Sequence, residues 1–270
     1  MATSFRYGLN TSTIQPASLL DKIRVAARAG YDAIELWIND VEDFVEAGHK
    51  LSEVRQALDD AGLERPSMIS LRGWCVPDES KAEAALTVAR RQLDTARELG
   101  VKRMVAGPPR EKVPRELAVE RYGRLLEISV AHGVPASLEF LGFVEGINRL
   151  EEAWAICAAV GSPHGTITPD AWHMFRGGSD ESTLDEIPAD HISCFHWNDA
   201  PAEPKQTEQT DADRVYPGDG IMNLKGLAGR LSQIGFDGVL SLELFNRTYW
   251  KQDPLAVAET GLAKMKRSVA

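Results

Sequence analysis

Four side chains in the carboxyl half of the chain have the types and placement to hold a divalent cation. Glu139 stands in Ser-Leu-Glu-Phe, Asp170 in Thr-Pro-Asp-Ala-Trp-His, His196 in Cys-Phe-His-Trp-Asn-Asp and Glu243 in Ser-Leu-Glu-Leu-Phe. Each lies at or near the end of a short apolar run, where an unpaired carboxylate is costly to bury and a cation is one way to satisfy it. Three carboxylates and one imidazole make a hard, oxygen-rich set that favours Mn2+, with Mg2+, Co2+, Zn2+ and Fe2+ also compatible. Singly, each has an ordinary explanation as an ion-pair partner, a core histidine or the start of a turn. Their recurrence at four equivalent places is what points to one centre. A metal chelated by neighbouring carbonyl and hydroxyl oxygens of a small molecule would acidify the carbon between them and stabilise the enediolate that follows. Glu139 and Glu243 would then remove and return the proton. Trp37 is placed to wall such a pocket, as are Trp74, Trp172 and Tyr249, since aromatic rings suit the apolar faces of sugars.

Bringing four strand ends to one mouth requires neighbouring parallel strands. Short apolar runs centred on Tyr7–Asn10, Ala33–Ile38, Ser67–Leu71, Arg103–Ala106, Ala136–Phe140, Thr166–Asp170, Ile192–His196 and Val239–Leu244 alternate with helical stretches. Apolar stripes at helical spacing run through Leu150, Trp154, Cys157 and Val160, and through Leu224, Leu227, Leu231 and Ile234. Asn148, with Glu151 three residues on, resembles a cap for the first of these. Helical patterns close at Gly30, Gly62, Gly100, Gly133, Gly161 and Gly235. Strict strand–helix alternation over 270 residues predicts a (β/α)8 barrel as one domain, residues 1–270, with its active site at the carboxyl ends of the strands. A doubly wound open sheet would usually carry a glycine-rich phosphate turn after its first strand, and Leu9-Asn10-Thr11-Ser12-Thr13 has none. The long polar stretch from Asp199 to Gly220 follows the seventh strand, so it belongs to the same rim.

Composition narrows the partner. With 30 basic and 40 acidic residues the formal charge is −10, which argues against a nonspecific grip on nucleic acid or anionic lipid. No apolar run approaches the about 18 residues of a membrane span. The three cysteines, Cys75, Cys157 and Cys194, are widely spaced and form no CxxC pair. Met1 to Arg6 carries no basic-then-apolar signal pattern, so a cytoplasmic enzyme of a small molecule is expected.

Over residues 134–254 the motifs Ala-Ser-Leu-Glu-Phe-Leu-Gly (136–142), Asp-Ala-Trp-His (170–173), His-Trp-Asn-Asp (196–199), Arg-Val-Tyr-Pro-Gly-Asp-Gly (214–220) and Leu-Glu-Leu-Phe-Asn (242–246) are present. In these the chain resembles the xylose isomerase-like TIM barrels of the sugar-phosphate isomerase/epimerase superfamily, and within it the inosose isomerase group. The resemblance implies one divalent metal on Glu139, Asp170, His196 and Glu243, with His173 and Arg214 near substrate hydroxyls. It also implies a substrate contact from Glu145, six residues after Glu139, and a homodimer or homotetramer. Two positions depart from the pattern. Pro169 replaces an aliphatic residue and deletes a backbone donor next to Asp170, so a local shift is expected. Leu141 stands where dehydroshikimate dehydratases of the superfamily carry a histidine.

The combined expectation is a metal-dependent isomerase or epimerase of a keto-sugar or keto-cyclitol. The alternatives are a lyase of the same barrel, dehydrating an inosose or cleaving a 3-keto glycoside, and a non-catalytic sugar-binding barrel or subunit. A DNA-repair endonuclease on this barrel would need more histidines in the mouth than the six in the chain can supply.

Overall fold

In the computed structural model, which describes residues 5–270, strands and helices alternate along the whole chain. The order is β1 (Arg6–Asn10), α1 (Leu19–Ala29), β2 (Ala33–Trp37), α2 (Ile38–Glu46), α3 (Leu51–Ala61), β3 (Met68–Leu71), α4 (Glu79–Glu98), β4 (Met104–Ala106), α5 (Arg115–Ala131), β5 (Ala136–Glu139), α6 (Leu150–Val160), β6 (Thr166–Thr168), α7 (Ala171–Gly177), β7 (Phe195–His196), α8 (Leu224–Gln233), β8 (Val239–Leu242) and α9 (Pro254–Ser268). The beginning of the Met1 to Arg6 stretch lies outside the described residues. All strand pairs are parallel, in the order β6-β5-β4-β3-β2-β1-β8-β7. Bridges at Ile167–Ile192 and Asp170–His196 close the remaining gap between β6 and β7, completing a (β/α)8 barrel. No helix among the described residues is long and apolar enough to cross a membrane.

The pleat sorts the strand residues into two sets. Leu9, Ile34, Leu36, Leu138, Ile167, Phe195, Leu240 and Leu242 join the large core between strands and helices. Their neighbours of the other parity fill the barrel. Ala33, Cys194 and Val239 form a small apolar floor, and Glu35, Ser67, Ser137, Thr168, His196 and Ser241 make a buried polar layer. Gly8 belongs to this inner face: a Cβ there would lie 2.9 Å from Val239 Cγ1 and 3.5 Å from Ala33 Cβ, so glycine keeps β1 close to its neighbours.

Local signals act as their chemistry requires. Gly30 ends α1 with φ 85°, the left-handed conformation that only glycine adopts cheaply. The start of α6 differs from expectation. Arg149 occupies the cap position, while the Asn148 side chain donates to Val144 O (2.9 Å) and its backbone N–H goes to Glu152 Oε2 (3.1 Å), so Glu151 is not its partner. Pro169 still joins the ladder through its carbonyl, which accepts the His196 N–H at 2.8 Å, and the Asp170–His196 bridge lies beside it.

Candidate active site

Glu139, Asp170, His196 and Glu243 are brought to one point at the carboxyl ends of β5 to β8, and all four are buried. His196 Nδ1 lies 3.3 Å from Glu139 Oε1, 3.6 Å from Asp170 Oδ2 and 3.2 Å from Glu243 Oε2. Each arrives by a different local device. Glu139 and Glu243 stand where β5 and β8 run out, two residues beyond the inward-facing Ser137 and Ser241. Asp170 caps α7 with Oδ1, which accepts the His173 N–H at 2.7 Å, and this leaves Oδ2 for the centre. Asn198 donates to that Oδ2 at 3.0 Å and accepts the Trp172 N–H at 2.8 Å, locking the α7 turn to β7.

His196 Nδ1 is fully buried yet has no hydrogen-bond partner, because the three oxygens fan around it and none is aligned with it. Donors bound about 2.1 Å from a tetrahedral cation stand about 3.4 Å apart, which is the spacing observed. Ligand atoms of Glu139, His196 and Glu243 all fall within 4.8 Å of one another. Charge points the same way. Asp170, Asp211 and Glu243 share the one guanidinium of Arg214, and Glu35 and Glu139 face the His196 ring instead. The residues present therefore fit a divalent cation.

The electrostatics record this excess of acid. Burial, with the Glu243 and Asp170 charges, pushes the Glu139 carboxyl up to about 7 against the pull of His196. Burial would lower His196, but the charges of Glu243 and Glu35 and contacts with Asp170 and Glu139 hold it well above the usual imidazole value. Asp170, raised by burial but opposed more strongly by Arg214, is held far below the carboxylate range. Burial outweighs Asp170 and, with Arg214, keeps His173 neutral.

Arg214 is buried between the centre and the cavity. Its Nη1 donates to Asp170 Oδ2 (2.9 Å) and Glu243 Oε2 (2.8 Å), and its Nη2 donates to Asp211 Oδ1 (2.5 Å) and meets His173 Nε2 at 2.9 Å. The guanidinium lies 4.7 Å from the Trp172 ring centre and 5.2 Å from that of Phe245. Its Nε is buried without a partner. The long β7–α8 loop delivers this side chain because Asp199 pins both its ends, accepting N–H bonds from Ala200 (2.8 Å), Gly218 (2.9 Å), Gly220 (3.1 Å) and Met222 (3.0 Å).

A cavity of about 820 Å³ opens onto Glu139 and Glu243. Trp37, Leu141, Phe143 and Phe245 give it an apolar wall, with His173 and Arg214 beside the centre. The loops after β3 and β4, with Arg72, Arg110 and Lys112, and the first turn of α4, with Lys81, also line it. Trp74 and Trp172 are buried away from it, and Tyr249 stacks on Tyr216 with ring centres 4.2 Å apart. Glu145 is not brought to the centre: it is exposed, and its backbone N–H is tied to Arg110 O at 3.0 Å.

Two polar residues reach the centre without having been singled out from sequence. Glu35 on β2 lies 3.2 Å from His196 Nε2, and Ser67 Oγ donates to it at 2.5 Å. Burial alone would raise Glu35, but His196, Ser241 and Ser67 bring it down to about 2. Asn10 on β1 donates to Glu243 Oε1 at 3.1 Å and, through its Oδ1, accepts the Trp37 Nε1–H at 2.8 Å. The signal was present in Ala-Ile-Glu-Leu-Trp, where an acid interrupts an apolar strand with the same parity as Trp37.

The fold and its rim thus define a barrel with a buried carboxylate–imidazole centre at the carboxyl ends of its strands. A family model described as xylose isomerase-like TIM barrel matches residues 23–268, and the chain belongs to that family. It is 28% identical over 247 residues to the inosose isomerase of Bacillus velezensis, covering 89% of this chain and 88% of that one. It is 25% identical to a 3-dehydroshikimate dehydratase of Pseudomonas putida over 85% of this chain but only 36% of the longer relative. Among solved structures, the IOLI protein with a bound zinc atom superposes with a TM-score of 0.91 at 25% identity, covering 98% of each chain.

Proposed function

We propose that this protein is a divalent-metal-dependent isomerase or epimerase of a keto-cyclitol of the inosose class. The observation that carries the reading is the convergence of Glu139, Asp170, His196 and Glu243 around a buried, unpartnered His196 Nδ1. The inosose isomerase relatives and the zinc in the IOLI structure support it. A cation held there supplies a positive charge beside a substrate carbonyl and hydroxyl, acidifying the C–H between them.

The chain's own residues do the rest. Glu139 turns Oε1 to His196, leaving its second oxygen to meet a substrate C–H, and Glu243 approaches from β8. One of the two removes the proton, and the same or the other returns it, so the face used decides between isomerisation and epimerisation. Arg214, with its Nε free, orients a substrate hydroxyl, and His173, held between the Gly142 N–H and Arg214, fixes the guanidinium in place. Trp37, Phe143 and Phe245 cover an apolar ring face and exclude water. The cavity of about 820 Å³ has room for a cyclitol ring and lies within the about 300–1,000 Å³ of ligand pockets.

The test is solvent-deuterium uptake into inososes by the Mn2+-loaded protein, abolished by EDTA, by Glu139→Gln and by Glu243→Gln. Wild-type exchange in either variant would overturn the assigned roles. The dehydratase relative favours a second reading, elimination after the same proton abstraction. Product mass separates the two, because isomerisation conserves it and dehydration removes one water.

A further inference from the structure

A neutral imidazole has one nitrogen that donates and one that accepts, and whichever group faces the first decides which is free for a ligand. His196 is held at both edges. On one side Nδ1 looks at three carboxylate oxygens without a hydrogen bond; on the other, Nε2 lies 3.2 Å from Glu35 Oε2. An ionised carboxylate only accepts. With a cation held among Glu139, Asp170 and Glu243, Nδ1 turns its lone pair to that cluster and the one remaining ring proton belongs on Nε2, facing Glu35.

Glu35 cannot turn away from this task. It is completely buried, Ser67 Oγ holds its Oε1 at 2.5 Å, and Asn10 Nδ2 reaches its Oε2 at 3.4 Å. The same Asn10 amide donates to Glu243 Oε1 at 3.1 Å, so one side chain ties Glu35 to the carboxylate across the centre. We propose that Glu35 is a positioning residue for the cation site: it fixes the Nε2–H tautomer and ring orientation of His196, and with Asn10 it sets the spacing between His196 and Glu243. This rests on the metal-dependent reading above.

Glu35, Cys194 and His196 also present ligand atoms within 4.8 Å of one another. A second cation there would need Nε2 without its proton, the opposite of what is proposed, so metal stoichiometry discriminates between the two.

The experiment is calorimetric titration of Zn2+ into chelator-stripped wild type, Glu35→Gln and Glu35→Leu, with 15N NMR of the His196 ring in the zinc-loaded protein. Wild type should bind one equivalent, with His196 protonated at Nε2. Affinity should fall about 10-fold in the Gln variant, which keeps a neutral acceptor, and about 100-fold in the Leu variant, which keeps none. Ser67→Ala leaves the carboxylate in place and should weaken binding a few-fold, which keeps the inference testable if the Glu35 variants do not fold. One equivalent bound by wild type with unchanged affinity in the variants, an Nδ1–H ring, or a second bound equivalent would overturn this inference alone. Failure of wild type to bind any cation would overturn it together with the metal-dependent reading.

Discussion

Arg214 is the one permanent cation among five buried or half-buried carboxyls, and its replacement by methionine gives a calculable result. Methionine keeps much of the apolar stem against Trp172 and Phe245 but leaves Asp170, Asp211 and Glu243 without their guanidinium. Removing one partner of a buried ion pair costs about 3–5 kcal/mol. In a chain this long, about 2 °C of melting temperature follows each kcal/mol, so the metal-free variant should melt about 6–10 °C below wild type. The loss should grow from pH 5 to pH 8. Without Arg214 the carboxyls bind protons more readily when folded, and a group whose folded pKa is raised costs stability as pH climbs through it. A divalent cation supplies the missing charge, so metal at 100 times its Kd should return at least about 2.7 kcal/mol, or about 5 °C. Differential scanning calorimetry in EDTA and in Mn2+ measures both effects. If Arg214→Met melts with wild type in EDTA, or if Mn2+ stabilises wild type more than the variant, the charge argument for a cation at this centre fails.

Asp199→Asn should cost about 2 kcal/mol in urea unfolding and lower turnover, because the amide turns one acceptor into a donor facing the N–H groups that fix the Arg214 loop. Glu64 sits at the other end of the barrel, paired with Lys102 at 2.6 Å and with Arg6. Burial would raise its pKa, but Lys102 and Arg6 depress it below 4.5, so its stabilisation is present above that value and lost as pH falls through the folded one. Glu64→Gln should therefore lower stability by at most about 1 kcal/mol at pH 7, and the difference should fade as pH falls below 4.5 through the folded pKa. Leu141→His would place an imidazole in the cavity wall; if a proton donor there directs elimination, the variant converts part of an inosose to a product one water lighter, and an unchanged product ratio refutes that role.

Legibility followed strand periodicity. The metal-ligand candidates stood out because a carboxylate or imidazole ended an apolar run, and parallel alternation then put those ends on one rim. Glu35 obeys the same physics but sits mid-strand, two residues below Trp37, where attention to strand ends misses it. Arg214 was visible only as part of a motif. Nothing in the spacing of a long polar loop states that Asp199 will gather four N–H groups or that the guanidinium will settle over Trp172. The same limit explains Trp172 itself, whose indole N–H is claimed by Gln209 at 3.0 Å instead of facing the cavity. Glu145 was assigned by its distance along the chain from Glu139, and spacing alone does not show that its backbone is tied to Arg110 O with the residue exposed.

The two kinds of legibility correspond to two layers of chemistry. Strand parity dictates the inner layers: a small apolar floor at Ala33, Cys194 and Val239, a hydrogen-bonded polar layer that includes Glu35 and His196, and carboxylates at the rim. In the proposed reaction such a rim would acidify a carbon next to a carbonyl, and it says nothing about what happens to the neighbouring hydroxyl. That second choice depends on which group can protonate a leaving oxygen, and such groups come from loops. Here Leu141, Phe143 and Phe245 have no proton to give, His173 has its Nε2 against Arg214, and Asp211 and Arg214 are paired with each other. On the proposed reading, two carboxylates facing a largely apolar wall return the proton to carbon more readily than they assist loss of hydroxide, which is why isomerisation is proposed ahead of elimination.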